Sequence, residues 1–78
     1  MQGIIQRNVK INGVDTVVRF KHFADRGFFK VTSRGQPEIK LIPKGKETVI
    51  RSPGYEDQVL RGGPKAVVNQ AVKAMWKN

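Results

Sequence analysis

Residues 9–23, Val9-Lys10-Ile11-Asn12-Gly13-Val14-Asp15-Thr16-Val17-Val18-Arg19-Phe20-Lys21-His22-Phe23, decide how this chain folds. Asn12-Gly13 is the strongest short hairpin signal, because both residues take positive φ at little cost. After the turn, Val14, Thr16, Val18, Phe20 and His22 alternate with Asp15, Val17, Arg19, Lys21 and Phe23. A period of two belongs to a strand, and the first set is assigned to the core. Before the turn, Ile5, Val9 and Ile11 supply the matching face, with Arg7 the misfit. Strands over 3–11 and 14–23 follow.

Asp25-Arg26-Gly27 reads as a turn, and 28–33 as a third strand of aromatic and β-branched residues. Arg34-Gly35-Gln36-Pro37 ends it. A short strand over 38–42, a turn at Pro43-Lys44-Gly45-Lys46 and a strand over 47–51 make a second hairpin, whose charges suit a sheet edge. Residues 56–61 fit either a short helical turn, capped by Ser52 and opened by Pro53, or an extended connection. Gly62-Gly63-Pro64 then places proline at the first position of a helix over 64–77. In that helix Val67, Val68, Ala71, Val72, Ala74 and Met75 share one arc, and Lys65, Asn69, Gln70, Lys73 and Lys77 fill the other. The expected class is α+β: an antiparallel sheet of 4–5 strands, covered on one face by a single C-terminal helix. The uncovered face is solvated or used for binding.

The chain has 78 residues, room for one domain spanning 1–78. So small a core is marginal, and homodimerisation or a bound partner is the available reinforcement. There is no cysteine and His22 is the only histidine, so disulfides and the usual metal ligand sets are absent. Met1-Gln2-Gly3-Ile4-Ile5 lacks the basic and apolar regions of a signal peptide. Unbroken apolar runs reach two or three residues, far short of the roughly 20 that cross a bilayer. A cytoplasmic protein without membrane insertion is expected.

Charge is the loudest feature. Fifteen Lys and Arg face six Asp and Glu, a formal net charge of +9. Solubility alone asks for a magnitude of about 2 to 8. The excess points to a polyanionic partner, and basic residues run from Arg7 to Lys77 rather than forming a tail. Arg19, Lys21 and Lys30 alternate with core positions and should project from one sheet surface, shared by Phe23 and either Phe28 or Phe29. Cations beside aromatics on an open sheet hold phosphates and stack bases in several nucleic-acid binders. Arg34, Lys40, Lys44 and Lys46 crowd the following turns, where basic residues grip phosphates or protect edges. Arg61-Gly62-Gly63-Pro64-Lys65 combines a helix N-terminus with two cations, an anion site or an ordinary junction.

Catalysis finds little support. The carboxylates are scattered, no phosphate loop or dinucleotide fingerprint is present, and no cofactor is implied. His22 reads as a packed or rim histidine; a ribonuclease grouping with Arg19 or Lys21 is set aside. The leading expectation is a non-catalytic module binding DNA or RNA through Arg19, Lys21, Lys30, Arg34, Lys40, Lys44, Lys46, Arg61 and Lys65. The alternative is a small regulator or inhibitor, of the size and composition found in phages and mobile elements, docking on an acidic surface of a larger protein or nucleoprotein complex. Trp76 is the protein-contact candidate for that alternative, unless it folds over the core edge beside Val72.

Overall fold

Asn12 and Gly13 take φ values of 52° and 79°, the positive-φ pair that a tight hairpin with right-handed strand twist requires. They join β1 (Ile4–Ile11) to β2 (Val14–Phe23). In this computed structural model, which describes residues 4–76, the chain then continues as an antiparallel meander. The further elements are β3 (Phe28–Thr32), β4 (Ile39–Lys44), β5 (Glu47–Arg51), β6 (Gln58–Arg61) and α1 (Pro64–Met75). Strand order in space equals order in sequence, β1 to β6. The class is α+β, with six strands rather than the expected four or five and one C-terminal helix.

The sixth strand settles the segment left open between helical turn and extended connection. Gln58–Arg61 pairs with β5, Leu60 opposite Thr48 and Val59 opposite Val49. Ser52 does not cap a helix; its buried hydroxyl donates to the Glu38 carbonyl at 2.8 Å. The second hairpin is also longer than expected. β4 runs through Pro43 and Lys44, so the turn shrinks to Gly45-Lys46. Proline is tolerated there because pairing between β3 and β4 ends at Leu41, leaving no neighbour to ask for its missing N–H. Nor is this hairpin an edge: β3 flanks it on one side and β6 on the other.

The side chains obey the period of two. Val18, Val31, Ile39, Leu41 and Ile50 project from one face and are fully buried against α1. The helix answers with Val68, Ala71, Val72 and Met75, and lies mainly over β4 with β1 and β5 beside it. Its width limits the cover. Val14 and Ile5 belong to the same face by register, yet are 59% and 45% exposed, Val14 beside the hairpin turn and Ile5 near the start of β1.

Trp76 corrects its assignment as a protein-contact candidate. The helix ends at Met75, and Trp76 has φ −103° and ψ 77°. That departure swings the indole under the sheet rather than leaving it on the helical wheel. It is fully buried, and its Nε1 donates to the Pro37 carbonyl at 2.6 Å. The expected helix end at residue 77 and strand start at residue 3 lie outside the described residues.

Candidate nucleic-acid interface

The face opposite the helix is built by the alternate residues of the same strands. Its register aligns Lys21 with Lys30, Lys30 with Lys40, and Lys40 with Arg51. Four cations therefore stand in one row across β2, β3, β4 and β5. Like charges directly opposite one another cost about 0.2–1 kcal/mol per pair, so the row opposes folding. Next to it, Phe23 faces Phe28. These half-buried rings stack with centroids 5.3 Å apart and planes 26° from parallel.

The lysines lie over this aromatic pair. The Lys21 and Lys30 ammonium groups are 4.9 and 5.2 Å from the Phe23 centroid, and Lys40 is 5.1 Å from that of Phe28. Each such contact contributes about 0.5–1 kcal/mol at an exposed site, comparable to the repulsion it offsets. Two carboxylates relieve the row further. Glu38 pairs with Lys30 at 3.2 Å, and Asp57 receives Arg51 in a two-pronged contact from Nε and Nη2. The hydrogen bond from Arg51 holds the Asp57 carboxyl below its usual range, with the guanidinium charge adding to it; the same bond raises Arg51. Among the described residues, Lys21 and Lys40 meet aromatic rings rather than carboxylates.

At the corners the face is closer to neutral. Lys10 stands opposite Asp15, and Glu47 lies between Lys44 and Arg61. Positive character is thus concentrated on the Lys21–Arg51 row. Arg19 adds to it from the next register step, opposite Thr32. Because pairing with β3 begins there, the first half of β2 has a neighbour on one side only. A shallow cavity of about 790 Å³ lies in the step, lined by Asp15, Val17 and Arg19 against Thr32, Ser33 and Arg34. Ser33 Oγ donates across it to the Val17 carbonyl at 2.7 Å.

The expected binding residues are therefore only partly united. Arg19, Lys21, Lys30, Lys40, Lys44 and Arg61 share the open face by register. Arg34 rims the cavity beside it, and Lys46 occupies the turn at the end of β4 and β5. Lys65 does not join them: it is exposed in the first turn of α1, in the layer behind the sheet. The junction before it is a latch. The Gly62 N–H is given to the Lys46 carbonyl, the Gly62 carbonyl accepts Thr48 Oγ1, and the Ala66 and Val67 N–H groups turn back to Gly63. Arg51 was missed by sequence reasoning, although a Gly45-Lys46 turn would have aligned it with Lys40.

His22 lies on the helix side of the sheet, stacked flat on Phe29 with centroids 4.0 Å apart. Register keeps it away from Arg19 and Lys21, so the ribonuclease grouping is not assembled. Among the described residues no helix is long and apolar enough to cross a membrane.

Comparison with known proteins adds little chemistry. No family matches the chain, and no solved structure matches it. A stretch of 48 residues, 60% of this chain, is 42% identical to glutathione reductase of Debaryomyces hansenii. The match spans 10% of that enzyme's length.

Proposed function

We propose that this domain binds nucleic acid without catalysing its reaction, through phosphate contacts on the open sheet face. The observation that carries the reading is the row Lys21, Lys30, Lys40 and Arg51, four cations aligned across adjacent strands. A fold gains nothing from aligning like charges, whereas a polyanion repays the repulsion by lying along them. Arg19, Arg34, Lys44, Lys46 and Arg61 extend the positive surface around the row. A cytoplasmic setting, expected from the absence of cysteine, suits such a partner. The competing partner, an acidic protein surface, loses its expected anchor because Trp76 is buried.

Titration of labelled DNA and RNA at several salt concentrations tests the proposal. If about five cations neutralise phosphates of duplex DNA, log K falls with log salt at a slope near −4 to −5. Lys21→Glu and Lys40→Glu should each weaken binding and flatten that slope, while Lys65→Glu, behind the sheet, should change little. A flat salt response, or no binding at low salt, would refute it.

A further inference from the structure

The two cross-strand features of the open face, cations and stacked rings, ask for different parts of one ligand. We infer that this face takes a single-stranded polynucleotide laid across the strands along the cation row, with bases stacked on Phe23 and Phe28; this rests on the nucleic-acid reading above. The row supplies cations spaced at the separation of adjacent strands, about 4.8 Å. Phe23 lies two residues beyond Lys21 on β2, and Phe28 two residues before Lys30 on β3. Two residues of strand span about 6.8 Å. A phosphate held at the row therefore leaves its base over the ring pair, across the width of one sugar.

Duplex does not use this arrangement. Its bases are paired and stacked inward, so the sheet face would meet phosphates alone and leave the rings without a role. The open face is formed by strand residues on the side of the sheet away from α1, the only helix among the described residues. The cation row and the ring pair lie on β2 to β5, away from the β1–β2 ribbon end that has the shape to enter a groove. Phe23 and Phe28, half-buried and stacked 5.3 Å apart, offer the sequence-tolerant platform on which unpaired bases sit. In the free protein Lys21, Lys30 and Lys40 cover those rings. Their four-carbon stems let each ammonium move to a phosphate as a base arrives, so one exchange both binds the backbone and opens the ring face.

Fluorescence anisotropy with the full chain at one low salt concentration separates the contributions. The probes are labelled oligo(dT), oligo(U), a duplex and an abasic oligodeoxynucleotide, all of equal length. At least one of the two base-bearing single strands should bind about tenfold or more tighter than the abasic strand, in whichever sugar. The double variant Phe23→Leu/Phe28→Leu should lose that advantage while keeping the wild-type affinity for the abasic strand and duplex, which also reports that it is folded. The comparison with abasic strand uses unaltered protein, so a misfolded variant does not decide the outcome. Equal affinity for abasic and base-bearing strands overturns the stacking inference and leaves phosphate binding intact. Failure of every probe to bind overturns both.

Discussion

Asp57 sets the limit on how much of the cation row a ligand can use. It occupies the Arg51 guanidinium with hydrogen bonds at 2.7 and 3.0 Å, at the end of the row where the charge would otherwise be open. The pairing also dictates a pH dependence. Because Arg51 lowers the carboxyl's pKa in the folded protein, the folded state releases that proton more readily than the unfolded chain. The resulting stabilisation is fully present above the ordinary carboxylate range and is lost as pH falls through the depressed folded value. Asp57→Asn should therefore melt below wild type at pH 6, with the difference closing as the pH approaches 2 in thermal scans. The same variant frees Arg51 for phosphate. It should bind DNA more tightly than wild type, with a salt slope steeper by about one. A variant that binds no better would show that Arg51 contributes nothing to the interface.

At the scale of elements, the parts readable from sequence were those whose signal is local. Asn12-Gly13 and the alternation through Phe23 specify the first hairpin, and with it the shared face of Arg19, Lys21 and Phe23. The choice between Phe28 and Phe29 was open because the turn at 24–27 carries the register; pairing of Phe23 with Phe28 decides it. β6 had no signal of its own. It is four residues long, with Leu60 half-buried and Val59 58% exposed, and β5 alone makes it a strand. Arg51 was hidden by Pro43, which reads as a break but falls where β4 has outrun β3. Trp76 was left between the core edge beside Val72 and an exposed contact because a helical wheel was applied one residue past the helix; its burial decides for the core.

That last residue makes α1 and the sheet a single unit. The buried indole ties the helix end to the 33–37 turn, its Nε1 donating to the carbonyl of the exposed Pro37. Trp76→Phe removes the donor and leaves a gap where the larger ring was packed. The expected loss is about 1–3 kcal/mol, combining a lost hydrogen bond with lost packing. Urea unfolding by circular dichroism measures it, and Lys73→Ala, exposed on the same helix, should move the midpoint little.

For the whole molecule, a net charge of +9 on 78 residues makes stability and binding opposed demands. The cation row concentrates that opposition, since its four members sit about 5 Å from their neighbours and about 14 Å from end to end. The Debye length is about 10 Å at 0.1 M salt, so added ions screen the row as a whole and weaken its repulsion. The melting temperature should therefore rise between 20 and 300 mM sodium chloride, over the range in which nucleic-acid affinity falls. Lys21→Thr/Lys40→Thr separates the two effects. It removes the like-charge oppositions of Lys21 with Lys30 and of Lys40 with both Lys30 and Arg51, and puts a β-branched residue on each strand. Against this it loses the contacts of Lys21 and Lys40 with the phenylalanines. Three oppositions are removed for two contacts of comparable size, so at low salt the double variant should be more stable than wild type by about 0.5–1 kcal/mol. Its melting temperature should respond less to salt, and its affinity for nucleic acid should drop. Melts that ignore salt in both proteins would mean the row costs the fold nothing, and the argument from its repulsion would fail.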